Sequence, residues 1–271
     1  MKLPSNNLNY PMRIVVGDSS GSGFLIKHDN DIFFVTAKHV LYRIDPATTN
    51  HVLISNEAQI ICYPRLDDVI AVTPRIYRLQ IPTLSQSGDL KVHQAKDLVV
   101  IKIGSVTDNE GGFALNLVQG ISESQQSMGG LIWYDMVSSR RFADVEITND
   151  VFVLGYPISL STPEMRQIDY DAPLARKGIV AGKNNQTQTI ILDCPVYGGN
   201  SGGLVLEVNQ VGPVNRLHLI GVVVQFVPFV EQWRNTRFPE LQNTSLQNSG
   251  YSVALPVDNI YDLISQIEAN D

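Results

Sequence analysis

Cysteine is nearly absent: Cys62 and Cys194 are the only two in 271 residues. At most one disulfide can form, so a cysteine-stapled scaffold is excluded, and the sequence reads as that of a reducing compartment, the cytosol. No apolar run approaches the length of a membrane span, so no membrane contact is expected. The first nine residues, Met1 to Asn9, lack the apolar centre of a signal peptide. Positive charge is also short. The formal net charge is −7 and the basic residues are scattered, with Arg140-Arg141 read as a solvated turn. A nucleic-acid partner is therefore not expected. No Cys/His/Asp/Glu set has zinc-ligand spacing and no phosphate-cradling loop is present, so no metal or cofactor is expected. What remains, 44% hydrophobic and 17% charged, is an ordinary globular composition with enough apolar residues for a core.

Against these absences stands Gly198-Gly199-Asn200-Ser201-Gly202-Gly203, a serine inside a glycine run. A serine hydroxyl is a poor nucleophile unless a base takes its proton and donors hold the oxyanion that forms. Glycines let the backbone turn tightly and let a substrate reach main-chain N–H groups. The same six residues could equally form a plain hairpin turn, so the rest of the chain must decide.

Only five histidines are available as a base: His28, His39, His51, His93 and His218. His39 ends the apolar run Phe33-Phe34-Val35-Thr36-Ala37-Lys38-His39, which reads as a strand delivering a histidine at its end. Asp97 opens Asp97-Leu98-Val99-Val100-Ile101, a carboxylate at the mouth of an apolar strand. It would fix the histidine tautomer. Asp67 and Asp68 are its rivals, because they too precede apolar residues. The chain order is His, Asp, Ser.

These segments resemble known motifs. Thr36-Ala37-Lys38-His39-Val40, Asp97-Leu98-Val99-Val100 and Gly199-Asn200-Ser201-Gly202-Gly203 are similar to the histidine, aspartate and serine motifs of trypsin-like (chymotrypsin-fold) serine proteases. Gly21-Ser22-Gly23-Phe24-Leu25-Ile26 resembles the strand before the histidine in bacterial members, including the HtrA type. Val153-Leu154-Gly155-Tyr156-Pro157 and Gly250 to Pro256 are similar to the first and last strands of the second barrel. The sequence ends soon after a helix, with no PDZ-sized segment, which departs from the HtrA type.

The resemblance implies an all-β fold of two six-stranded antiparallel β-barrels with a C-terminal helix. Its units would be a loosely docked tail over 1–9, a first barrel over 10–115 with the histidine and aspartate, a connection over 116–148, and a second barrel with the helix over 149–271. It implies His39, Asp97 and Ser201 as the catalytic residues and the N–H groups of Gly199 and Ser201 as the oxyanion hole. Pro195 would form the base of the primary pocket, Val224, Gln225 and Phe226 its wall, and Tyr251 and Ser252 its far side. An apolar or small P1 side chain is expected. Asn200 replaces the aspartate of zymogen-activated members, so activation by a newly cut N-terminus is not expected. His218 reads as a strand residue outside the pocket.

Along the chain, short β runs dominate. Gly23 to Ile26 and Ile32 to Val35 flank His28-Asp29-Asn30-Asp31 as a hairpin, with calcium binding by Asp29 and Asp31 as the lesser reading. Some helix is expected around Ala114 to Val118. Apolar residues at 260, 263, 264 and 267 give a helical period, capped by Asp258 or Asn259. The expected function is serine endopeptidase acting on a protein or peptide substrate, with either a narrow specificity or a regulatory protein partner that gates it. Two alternatives stay open: a latent or inactive interaction module of the same fold, and an esterase or acyl transferase. The second needs a strand-to-helix elbow after the serine, whereas Leu204-Val205-Leu206 reads as strand.

Overall fold

Alternating side chains sort two sheets around two apolar clusters. The computed structural model describes residues 3–63, 65–66, 69–70, 73–109, 112–125, 131–157, 169–211, 214–238 and 240–270. The first half begins with β1 (Pro11–Val16), β2 (Ser19–His28) and β3 (Asp31–Thr36), then a single helical turn, α1 (Lys38–Leu41). It continues through the hairpin β4 (Tyr42–Ile44) and β5 (His51–Leu53), β6 (Glu57–Cys62), and the short pair β7 (Arg65–Leu66) and β8 (Val69–Ile70). After these come β9 (Arg75–Gln80), α2 (Ile81–Ser87), β10 (Leu90–Val92), β11 (Val99–Asn109), β12 (Gly112–Leu117), β13 (Ile121–Gln125) and β14 (Tyr134–Asp135). The second half holds β15 (Asp150–Gly155), β16 (Leu174–Asn184), β17 (Thr189–Asp193), β18 (Leu204–Val211), β19 (Val214–Arg234), β20 (Gln242–Pro256) and α3 (Val257–Glu268).

The second unit is the expected closed barrel of six strands, in the order β15-β16-β17-β20-β19-β18. The first is a ten-stranded sheet that follows the path β10-β11-β3-β2-β1-β6-β9-β13, with β12 on β11 and β14 in parallel on β2. Part of the excess over six comes from residues 116–148, expected as the connection, which supply β13 and β14 and the end of β12. The helix expected around Ala114 to Val118 is the strand β12, whose Leu117 and Leu115 face Gly104 and Val106 of β11. Cross-strand pairing overrides the local helical pattern there.

The two-residue period decides which core each side chain joins. In β15, Phe152 and Leu154 belong to a cluster shared with the first sheet and α3, while Val151 and Val153 fill the second barrel. In β18, Leu204 and Leu206 point to the shared cluster and Val205 points inward. β15 and β18 are therefore anchored on both sides. Cys62 lies in the shared cluster and Cys194 inside the second barrel; both are free, and burial pushes each thiol up to about 11.

Three local expectations change. The N-terminal segment is docked: Ser5–Asn9 form a 3₁₀ turn with Asn7 and Asn9 buried, and Leu3 and Leu8 pack on the core. Arg140-Arg141 is a joint between elements. Arg140 pairs with the fully buried Glu207 at 2.8 Å, and the Arg141 guanidinium lies 3.4 Å over the Tyr261 ring of α3. Asp258 does not cap α3; its Oδ2 accepts from the Phe142 N–H at 2.7 Å, while Asn259 is buried. Beyond the barrel, β19 and β20 continue as a two-stranded arm from the Pro228–Asn248 pair to Arg234–Gln242, exposing Phe229, Trp233 and Leu246. Among the described residues no helix is long and apolar enough to cross a membrane.

Candidate active site

The seam between the two units brings the three motifs together. His39, Asp97 and Ser201 line one cleft of about 360 Å³ with Val196, Tyr197 and Gly198 on one side and Val224, Gln225 and Phe226 on the other. His39 sits on α1, not at a strand end: β3 stops at Thr36, and the turn of helix carries the ring outward. Asp97 lies just before β11, whose Val99 pairs with Thr36. That register holds the carboxylate beside the helical turn.

Asp97 grips His39 twice. The His39 N–H donates to Oδ1 at 2.9 Å, and ring Nδ1–H donates to Oδ2 at 2.6 Å. Burial raises the Asp97 carboxyl, but the His39 hydrogen bonds and the nearby Lys38 charge outweigh it and hold it below its ordinary value. An ionised Asp97 fixes the His39 proton on Nδ1, so Nε2 of the neutral ring is free to act as a base. Asp67 and Asp68, the rival acids, lie outside the described residues.

The serine loop leaves two donors free. The Asn200 N–H donates to Tyr197 O at 3.0 Å, the Gly202 N–H to Val223 O at 2.8 Å and the Gly203 N–H to Asn200 O at 2.8 Å. Among the described residues the N–H groups of Gly199 and Ser201 donate to nothing. Gly199 and Gly202 have φ of +95° and +88°, the left-handed region that glycine permits. Two free N–H groups beside a serine can hold a developing oxyanion. Ser201 Oγ makes no hydrogen bond among the described residues. Asn200 is 3% exposed and its Oδ1 has no partner among the described residues. A charged aspartate there would be buried unpaired, which is costly, so the uncharged amide suits the site.

Of the other expected residues, Val224, Gln225 and Phe226 line the cleft. Pro195, Tyr251 and Ser252 are not among the residues lining it. Ser252 is fully buried, with Oγ donating to Cys194 O at 2.9 Å, and Tyr251 is exposed and pairs with Asp193. His218 lies outside the cleft, with Nδ1 at 3.0 Å from Ser138 O. His28 pairs with Glu268 of α3 at 2.8 Å, and Asp31 with Lys102 at 2.9 Å.

One residue that sequence reading passed over ties the seam. Ser22, fully buried in β2, donates through Oγ to Gly199 O at 2.6 Å and accepts from the Tyr156 N–H at 2.8 Å. Its N–H donates to Ser201 O at 2.9 Å, and its carbonyl accepts from Thr36 Oγ1 at 2.8 Å. One residue thus joins β2, the end of β3, the end of β15 and the serine loop. The available signal was a hydroxyl between two glycines in a buried apolar strand.

His93 shapes the turn before Asp97. Its Nδ1 accepts from the N–H groups of Ala95 at 3.1 Å and Lys96 at 3.0 Å, so that nitrogen carries no proton. Burial, then the charges of Lys38 and Lys96, lower its pKa, with Asp262 of α3 opposing. The folded chain therefore takes up this proton at lower pH than the unfolded chain. The stabilisation is complete above the unfolded value of about 6.5 and is lost as pH falls through the folded one. In an NMR titration the His93 ring is expected to titrate below about 6.5, with the Ala95 and Lys96 amide shifts moving in step. A midpoint at or above that value would break this account.

A family model described as "Trypsin-like peptidase domain" matches residues 21–212. Among solved structures, an "HtrA-type protease AlgW with tripeptide" is similar at 15% identity and a TM-score of 0.50, covering 97% of this chain. This chain spans 61% of that one, and the likeness is one of fold. A structure described as "Crystal structure of Deg5" is matched at 16% identity and a TM-score of 0.47, over 95% of this chain and 88% of that one. No curated protein sequence matches. With a family match over most of its length and the barrel architecture described above, the chain belongs to the trypsin-like peptidase domain family.

Proposed function

We propose that the chain is a serine endopeptidase in which Ser201 is the nucleophile, His39 the base and acid, and Asp97 the group that orients His39. The observation that carries this is the 2.6 Å His39–Asp97 hydrogen bond in the same cleft as Ser201 and two unused N–H groups. Ser201 Oγ attacks the substrate carbonyl carbon while its proton passes to His39 Nε2. The N–H groups of Gly199 and Ser201 hold the oxyanion. His39 then gives that proton to the leaving amine as the C–N bond breaks, leaving an acyl-enzyme. Water, deprotonated by His39, attacks the acyl carbon, and Ser201 leaves with its proton restored. The backbone of Val224 to Phe226 pairs with the substrate chain, and the apolar walls favour an apolar P1 side chain.

One observation favours a second reading, a latent form that a partner completes: Ser201 Oγ is not hydrogen-bonded to His39. Catalytic hydrogen bonds are often loose without substrate, so this does not oppose the first reading. The esterase reading is weaker, because Leu204–Val211 after the serine is a strand and no strand-to-helix elbow forms. A fluorophosphonate probe tests the choice. Covalent labelling of the folded chain, mapped to Ser201 by mass spectrometry, is the expected result. A folded chain that is not labelled would overturn an autonomous active enzyme and favour the latent form.

A further inference from the structure

His39 and Asp97 form the shared wall of two cavities. Across them from Ser201 lies a second space of about 540 Å³, whose lining includes Lys38, Arg43, His51 and Lys96. Three elements deliver these side chains: α1 brings the cation of Lys38, the β4–β5 hairpin that of Arg43 together with His51, and the turn before Asp97 that of Lys96. In a chain of net charge −7 this concentration of positive charge is a local exception. Three cations against the single carboxylate of Asp97 leave the wall net positive, and a concave site with an excess of one sign of charge focuses its field on an approaching ligand.

The negative groups nearby are already engaged. Asp97 is held by His39, and Asp45, which senses Arg43, accepts from the Ala47 N–H and Thr48 Oγ1. Among the described residues Lys38, Arg43 and Lys96 form no ion pair. Lys96 donates to Thr187 O, a neutral acceptor. Lys38 is the strongest indication. It is only 5% exposed, yet its ammonium has neither a hydrogen-bond nor an ion-pair partner among the described residues. Burial lowers its pKa and Asp97 only partly opposes this. The stem is buried while the ammonium still touches solvent, and an anion entering the cavity would give it a charge partner in place of water.

We infer that this cavity binds an acidic side chain of the substrate next to the scissile bond, so that the protease selects Asp or Glu at a flanking position. The inference rests on the proposed function. A peptide carbonyl placed at Ser201 with its P1 side chain in the smaller cleft passes His39. A neighbouring residue then enters the larger space. A carboxylate there meets Lys38, Arg43 and Lys96 at the edge of the reacting groups. Its binding site and the catalytic dyad share residues, so charge there affects turnover as well as binding.

The experiment digests a peptide library and then compares matched peptides carrying Glu, Gln or Lys at each of the flanking positions. At one position kcat/KM is expected to be about tenfold higher for Glu than for Gln, and lower still for Lys. The Glu/Gln ratio is expected to shrink as salt rises, because the cavity is open to solvent. The Arg43→Gln, Lys96→Gln double variant is expected to bring the ratio close to one. Lys177→Gln, which removes a cation paired with Asp150 on the second barrel, is expected to keep it. Cleavage with a flat ratio at every position would overturn the inference and leave the proposed function standing. Inorganic phosphate that inhibits while the ratio stays flat would assign the cavity to a free anion and overturn the side-chain assignment. Labelling of Ser201 with no peptide cleaved would overturn it as well. Neither labelling nor cleavage would bring down both proposals.

Discussion

Replacing Asp97 by asparagine is expected to lower kcat about ten-thousand-fold on any peptide the native chain cleaves. Asparagine keeps the size of the side chain but can turn an NH₂ group toward His39 Nδ1. The ring then carries its proton on Nε2, where it cannot accept the Ser201 proton. The Nδ1–Oδ2 contact of 2.6 Å and the second bond from the His39 N–H at 2.9 Å leave little room for another arrangement. Replacing His39 by alanine removes the base itself and is expected to cost about a million-fold in kcat. Because the three groups act as a unit, the double variant is expected to be little worse than His39→Ala alone. Steady-state kinetics with circular dichroism as a check on folding decide this. A loss below about tenfold for Asp97→Asn would pass the acid's role to Asp67, Asp68 or no carboxylate.

Gly202→Ala is expected to abolish the native serine loop. A Cβ at this position would stand 2.0 Å from the Ser22 carbonyl oxygen and 2.6 Å from Thr36 Oγ1. Both atoms belong to the bond between Ser22 and Thr36 that joins β2 to β3, so neither is free to move aside. The φ of +88° adds backbone strain for any residue with a side chain. The two effects together are expected to cost about 4 kcal/mol or more, a large part of the stability of a domain. Gly182→Ala is the internal comparison: nothing lies within 4 Å of a Cβ there, and little change is expected. Denaturant unfolding of the two variants beside the native chain reads the difference. A Gly202→Ala protein with native stability and full labelling of Ser201 would break this account of the loop.

Some of this was legible along the chain because the responsible interactions are local. A glycine run around Ser201 can turn in only a few ways, and short apolar runs such as Ile32 to Val35 or Thr189 to Leu192 depend on one strand at a time. The order of His39, Asp97 and Ser201 and the all-β class followed from such local units, while the two-barrel architecture came from the family resemblance of the motifs. The period of α3 was equally plain, though its N-terminus was not, because Asp258 turned to the Phe142 N–H of another segment.

What the tertiary structure alone decided is what depends on partners distant in sequence. Residues 112–117 became a strand because β11 offered an edge. Ser252, expected at the pocket, faces away because its register against Leu192 sets the side it points to. Ser22 became the tie of the active-site seam because β15 and the serine loop close on it, from 134 and 177 positions away. Lys38, Arg43 and Lys96 look like scattered surface charge in the sequence; they form one cationic wall only when α1, the β4–β5 hairpin and the turn before Asp97 meet beside His39. Motifs and periodicity are properties of short segments and survive in the linear chain. Side-chain orientation, pairing and the field inside a cavity are properties of which segments touch, and folding alone determines them.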